Sequence, residues 1–330
     1  MRKIVVLLLS VFVSGQLIGQ VNSDGAIVFD ASIKTKYEYA LKTEMSRFSV
    51  RNSRMGLSGA IVPSVKYRAQ VELSSEGNFE ILDLNVSMTL FEGFTVTLGQ
   101  THIPIFNSYI ITPSQVMFAN RAFIGKYFTG TRDIGLIANY RFKAGEVPFS
   151  FQIGTFNGSK INNPVWTNRP SYAARLEVGE MTGWRSTAKI YRYPYSTTED
   201  FIIMGADIRY GRERYKFEAE VMNRHNRYDH TDRLSAYIQG GYSIPVNNFL
   251  IFKDVTPAVR WDVIGENIGE NKFDATRITF GLGFALTDKP FGSLLRFDYE
   301  HYFVDRPIPE FNRYDEMDSN KFTVELLIIF

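Results

Sequence analysis

The amino-acid sequence predicts an all-β fold: a transmembrane antiparallel β-barrel of about sixteen strands. Three observations predict it. Apolar and polar residues alternate along segment after segment, short connections take turns with long ones, and aromatic residues gather toward the segment ends. Side chains on a strand point to opposite faces with period two, so each segment has one face for lipid and one for water.

The elements follow in order. From 26 to 40, Ile27, Phe29, Ala31, Ile33, Tyr37 and Tyr39 share one face, opposite Asp30, Ser32, Lys34, Lys36 and Glu38. A second segment spans 48–61. At 65–74, Val65, Tyr67, Ala69, Val71 and Leu73 oppose Lys66, Arg68, Gln70, Glu72 and Ser74. Segment 80–90 sets Leu82, Leu84, Val86, Met88 and Leu90 against Asp83, Asn85, Ser87 and Thr89. After 93–101 and a long gap, 133–143 carries Ile134, Leu136, Ala138, Tyr140 and Phe142. Segments 148–157, 171–179 and 184–193 lead to 201–211, with Ile202, Met204, Ala206, Ile208 and Tyr210 on its apolar face. Then come 214–223, 233–244, 254–263, 274–287 (Ile278, Phe280, Leu282, Phe284) and 292–303 (Leu295, Phe297, Tyr299). The last, 320–330, shows Phe322, Val324, Leu326, Ile328 and Phe330. Lengths of roughly 9–13 residues suit tilted strands that cross a bilayer.

Connections and aromatics separate this reading from a soluble sandwich. Phe91-Glu92-Gly93, Gly179 to Gly183 and Gly211-Arg212-Glu213 are short, whereas 157–170, 264–273 and 304–319 are long and polar. Membrane barrels have tight turns at one rim and long loops at the other. Tyr37, Tyr39, Tyr67, Phe94, Tyr140, Phe142, Trp184, Tyr210, Tyr242, Trp261 and Phe330 lie toward strand ends on the apolar face. Such rings suit the two interfaces of a bilayer. Arg68, Glu72, Arg141, Arg175, Lys189, Arg209 and Arg296, on the opposite face, would be buried charges in a closed soluble core. In a wide barrel they would line water.

Composition limits the chemistry. The 330 residues carry a formal net charge of +2, no cysteine and four histidines, His102, His225, His230 and His301. Disulfides, thiolate metal sites and a cysteine nucleophile are thereby excluded. Balanced charge argues against nucleic acid, which needs a basic excess. No catalytic residue, metal or cofactor is expected, since no phosphate-binding glycine motif or dinucleotide fingerprint appears. Met1-Arg2-Lys3, the apolar run Ile4 to Val13, then Ser14 and Gly15 describe a secretory signal peptide, expected over 1–20. The barrel domain is then 21–330. Without Arg2 and Lys3 the basic count falls from 37 to 35, equal to the 35 acidic residues, so the exported chain is formally neutral.

Residues 102–132 form the longest interval between strands. Ile103, Ile105, Phe106, Ile110, Phe118, Phe123 and Phe128 argue against disorder there. Folded into the barrel, this loop would narrow the channel and present His102, Arg121, Lys126 and Arg132 to a passing solute; as a surface flap it would not. On the wall, Arg54, Lys66, Arg68 and Arg141 complete the candidate anion-guiding set. Inward acids nearly balance inward bases.

Arg51-Asn52-Ser53-Arg54-Met55-Gly56-Leu57-Ser58-Gly59, then Tyr67-Arg68-Ala69-Gln70-Val71-Glu72-Leu73, resembles the phosphate-selective porin O and P family. So do Leu82 to Val86, Leu98-Gly99-Gln100 with Pro104, and Phe118 to Arg121 leading to Arg132-Asp133-Ile134-Gly135-Leu136. The pieces cover residues 48–142. This resemblance implies an outer-membrane barrel of a Gram-negative bacterium, commonly a homotrimer, whose third loop folds inward and whose pore prefers anions. Its partners would be outer-membrane lipid, small anions or hydrophilic solutes, and the barrel-assembly machinery, met through Phe330. Members known for phosphate carry an arginine ladder and a lysine cluster, of which this chain shows no dense equivalent, so phosphate stays open. The alternatives are a general porin, a plugged barrel, or a lipase- or protease-like enzyme. An enzyme would need His301 with Asp298 or Asp305, or His225 with His230 and Asp229, and neither group has a convincing serine or metal partner.

Overall fold

Alternation decides the architecture. The computed structural model describes residues 27–330 apart from 76, 107–115, 181, 289–291, 309–310 and 312–318, and only the backbone of Lys126, Asn248 and Phe249. The expected signal peptide and Ile110 lie outside the described residues. The strands are β1 (Val28–Ala40), β2 (Met45–Val62), β3 (Val65–Ser75), β4 (Asn78–Phe91), β5 (Phe94–His102), β6 (Arg132–Ala144), β7 (Val147–Phe156), β8 (Ser171–Gly179) and β9 (Gly183–Pro194). They continue as β10 (Asp200–Arg212), β11 (Tyr215–Asn226), β12 (Asp232–Tyr242), β13 (Ile244–Phe249), β14 (Phe252–Glu266), β15 (Ala275–Ala285), β16 (Leu294–Val304) and β17 (Lys321–Ile329). One helical turn, α1 (Ile124–Tyr127), sits between β5 and β6.

Each strand pairs antiparallel with its neighbours, and β1 pairs with both β2 and β17, which closes the sheet. Closure removes the exposed strand edges that lipid could not hydrogen-bond. The short β13 pairs only with β14, while β12 pairs with β14 directly, so sixteen strands make the wall. Every segment expected from alternation is a strand; β13 is the addition. The rims are less regular than strict turn-taking implies. Residues 41–44 make a tight connection at the long-loop rim, and β13 lengthens one at the other.

The two faces differ as the pattern requires. Phe29, Leu84, Leu98, Phe280 and Phe303 are exposed on the outside, whereas Lys34, Arg185, Arg277 and Glu325 on the inside are buried. Aromatics form two outer belts. Near the short-turn rim, Phe91 stacks on Phe94, Tyr140 on Phe142 and Phe142 on Phe149, with ring centres 4.9, 5.6 and 5.1 Å apart. Toward the long-loop rim, Tyr37 meets Phe48 and Tyr299 meets Phe322, both at 4.9 Å.

Among the register shifts of the wall, those within β2 and β4 turn side chains to the face opposite to the one that alternation assigns. Asn52 sits at φ 56°, and pairing of β2 with β3 shifts on either side of Ser53. Phe48 and Val50 therefore face out although Arg54, Gly56 and Ser58, of the same parity, face in. In β4 the register shifts between Asp83 and Ile81, and Leu82, expected on the lipid face, is buried.

The interior is not simply water. Ile103, Ile105, Phe106, Phe123 and Phe128 of the β5–β6 connection pack with Phe156, Tyr191, Phe201, Tyr237 and Tyr302 of the wall and with Phe311. An apolar cluster thus fills part of the barrel, between the wall and this connection.

Candidate functional site

Most inward charges are held in pairs. Arg277 is bound to Asp262 at 2.7 Å and Glu300 at 3.0 Å; Lys321 reaches Glu300 at 3.2 Å and Lys34 reaches Glu325 at 2.8 Å. Across the lumen, Lys189 lies between Asp207 and Glu220. A charge taken from water is costly unless it is paired and hydrogen-bonded. The near balance of inward acids and bases meets that requirement.

The same side chains hold the β5–β6 connection against the inner wall. Lys34 Nζ donates to Ala119 O at 3.0 Å, Arg260 to Asn120 O at 2.8 Å, Arg277 to Arg121 O at 2.7 Å and Arg296 to Val116 O at 2.6 Å. Arg224 donates to the carbonyls of Tyr127 and Phe128, each at 3.1 Å. In return Asp298 accepts from Ala119 N at 2.6 Å, and Asp262 from Phe123 N at 3.1 Å. An irregular chain buried inside a protein has backbone groups that no ladder satisfies, and each needs a partner. Wall arginines and carboxylates supply them. Phe118 and Phe123 lie under guanidiniums, with Arg260 and Arg277 at 4.8 and 4.5 Å from the ring centres. In α1, burial pushes the Tyr127 hydroxyl above the ordinary phenol range, which keeps it neutral.

On the long-loop side, bordered by this connection, by β2–β4, by the β7–β8 loop and by residues from β9 to β11, lies a cavity of about 550 Å³. Arg51, Arg54, Arg121, Arg132, Lys160 and Arg224 border it, against Glu72, Glu80 and Glu199. Among the described residues, six cations thus face three carboxylates. Arg54 pairs with Glu72 at 3.3 Å, and Arg132 donates to Asp83 at 2.8 Å.

Of the sequence-predicted residues, Arg54, Arg121 and Arg132 meet at this cavity. His102 lies just outside it, its Nδ1 3.7 Å from Asp83 and its Nε2 buried without a hydrogen-bond partner. The side chain of Lys126 lies outside the described residues. Lys66 and Arg141 are exposed toward the short-turn rim; Arg68 binds Asp30 through two bonds at 2.9 and 3.2 Å and lies 4.0 Å from Asp83, the partner of Arg132. Alternation missed Arg51, because the bulge at Asn52 reverses its direction. Lys160 and Arg224 escape the alternation too: Lys160 stands in a loop, and Arg224 lies just past the segment expected over 214–223, within the longer β11.

Of the histidine groups considered for catalysis, the pair of His301 with Asp298 is taken apart. In β16, Asp298 faces inward, while His301 faces out, between Tyr299 and Phe303. An odd spacing on a strand puts two side chains on opposite faces, so this pair cannot share a proton. His225 contacts Asp232 at 3.1 Å and lies 5.9 Å from the His230 ring.

A closed sixteen-stranded barrel with an aromatic-belted apolar exterior and a charged interior defines an outer-membrane channel. Solved structures share the fold at low identity. An anion-selective porin from Comamonas acidovorans is 14% identical, with a TM-score of 0.64 over 93% of this chain and 100% of its own. Salmonella typhi OmpF in complex with daunomycin is 11% identical, with a TM-score of 0.66 over 93% and 98%. The trimer form of Vibrio cholerae OmpT is 10% identical, with a TM-score of 0.61 over 93% and 100%. No curated protein matches the sequence. The family described as phosphate-selective porin O and P matches residues 23–213, more than half of the chain. This protein belongs to that family, and it is a porin of the Gram-negative outer membrane.

Proposed function

We propose that the barrel is a diffusion channel for small hydrophilic solutes that prefers anions, and that residues 116–131 form its constriction. The observation that carries this reading is the cavity on the long-loop side, where six cations face three carboxylates. Exposed charges act over about 8 Å at physiological ionic strength. In a wide pore a solute passes beyond that range; beside a loop that fills part of the lumen it does not. Low-dielectric walls concentrate the field further. Anions would be enriched at the entrance and cations depleted, without any tight binding site.

The reversal potential of the reconstituted channel in a KCl gradient tests this. A chloride-favouring potential is expected; a potassium-favouring one sinks the reading. Phosphate selectivity is a separate question, read from whether added phosphate blocks the chloride current. The balanced charge pairs lower in the lumen favour the second reading, a general porin, for which the potential would lie near zero. Passive transport rather than catalysis fits the family and the separation of His301 from Asp298. A homotrimer fits the trimer form of the Vibrio cholerae relative. Export through cleavage near residue 20, and engagement of the assembly machinery by the last strand and Phe330, complete the proposal.

A further inference from the structure

Charge alone leaves part of the vestibule unused. Five aromatic rings border the same cavity: Tyr127, Phe128, Tyr193, Tyr195 and Phe201. Cations lie over them. Arg224 is 4.7 Å from the centre of the Phe201 ring, and Lys160 Nζ is 5.1 Å from that of Tyr195. Tyr195 is half exposed and leans on Tyr193 with ring centres 5.4 Å apart.

Lys160 is placed there by a braced loop. Its φ of 72° is a left-handed conformation that a lysine adopts only when its surroundings hold it. Asp133 accepts from Gly158 N and Ile134 N, both at 2.7 Å, which pins the root of the loop. Asn162 donates its backbone N–H to Gln100 Oε1 at 2.7 Å and accepts from Gln100 Nε2 at 3.2 Å.

The ligand follows from the two chemistries together. A cavity of about 550 Å³ falls in the range of small-molecule sites and is far larger than a bare inorganic anion needs. Tyr195 is the exposed ring of the five; an inorganic anion would use the cations and leave it idle, and a neutral sugar would use it and leave the excess positive charge unmatched. An anion that carries a flat ring uses both. We propose that the vestibule is a binding subsite for aromatic carboxylates, with Lys160 meeting the carboxylate and Tyr195 the ring. This rests on the anion-preferring reading above and names its solute class.

The test is titration calorimetry of the barrel folded in detergent, with benzoate, acetate and inorganic phosphate as probes and empty micelles as the blank. Benzoate is expected to bind roughly tenfold tighter than acetate or phosphate, the gain of one stacked and buried ring. Tyr195→Ala should bring benzoate to the level of acetate. Lys160→Asn, a residue that tolerates the left-handed backbone, should weaken benzoate and acetate by the same factor. Equal affinity for benzoate and acetate in the wild type, or an undiminished benzoate advantage in Tyr195→Ala, overturns the proposal. The reversal potential keeps the two readings apart. Chloride preference without a benzoate advantage removes the subsite alone; a benzoate advantage without chloride preference removes the anion channel alone.

Discussion

Arg277 shows what a wall charge does in this barrel. It donates to Asp262, Glu300, the Tyr302 hydroxyl and the Arg121 carbonyl, and it lies over the Phe123 ring. Replacing it with Met would leave Asp262 and Glu300 buried with one counter-charge fewer, which costs about 3–5 kcal/mol for a broken buried pair. Urea unfolding in lipid vesicles should show a lower midpoint for Arg277→Met. Arg121 sits differently, half-buried with its side chain at the cavity. Arg121→Gln should lower the unfolding midpoint less than Arg277→Met does. It should lower the chloride-to-potassium permeability ratio, read from the reversal potential. Both arginines look alike in sequence. The alternation makes Arg277 inward-facing, but only the fold shows that it grips a loop carbonyl more than a hundred positions away.

At the scale of elements, the β5–β6 connection has a seat prepared for it. A Cβ on Gly281 would come within 2.9 Å of the Phe118 ring and of Asp298, and one on Gly241 would come within 3.3 Å of Met117 Sδ. These inward glycines make room where the loop touches the wall. Gly281→Leu should therefore push Phe118 away, cost about 1–3 kcal/mol as other overpacked sites do, and add substates to single-channel traces. Gly283→Ala, with only ordinary contacts at 3.8 Å, should leave the traces unchanged. The bulge in β2 is the other device. Asn52 holds its left-handed φ while its backbone and side-chain N–H groups donate to Glu72 at 3.0 and 2.9 Å. Asn52→Val should cost at least about 1–3 kcal/mol, the range for a strained backbone position, while Asn52→Gly stays nearer wild type. Nothing in Arg-Asn-Ser-Arg marks a bulge by itself, since asparagine also occurs in ordinary loops, and so Arg51 was not legible as a vestibule residue.

For the whole molecule, the strongest expectation concerns the outer surface. Phe280, midway along β15, is more than half exposed on the apolar face. In a bilayer, Phe280→Arg should lower unfolding stability by about 2–4 kcal/mol, the cost of a cation near the midplane, measured by denaturant titration in vesicles. In a soluble barrel the same change would be close to neutral, and that result would contradict the membrane reading. Strand number and order, and facing outside the bulges of β2 and β4, were legible because period-two alternation is local: it needs only the neighbours at i and i+2. The strand ends in the structure lie within a few residues of those read from alternation. The candidate site was legible in part. Arg54 and Arg132 fall in strands or at their ends, whereas Lys160 belongs to a loop whose position depends on Asp133 and Gln100, and Tyr195 lies just beyond the end of β9.

The sequence by itself determined a closed membrane barrel, because lipid and water impose one rule at every position along every strand. It also set the near balance of inward charge, which a buried interior demands. The tertiary structure decided how that charge is used. Guanidiniums that look like a path for ions are engaged largely with carboxylates and with the carbonyls of residues 116–128. On the long-loop side, cations outnumber carboxylates around a cavity that aromatic rings also border. No local pattern could place it there, because hydrogen-bond satisfaction of a buried loop is settled by residues distant in the chain, and only closure of the barrel brings them together.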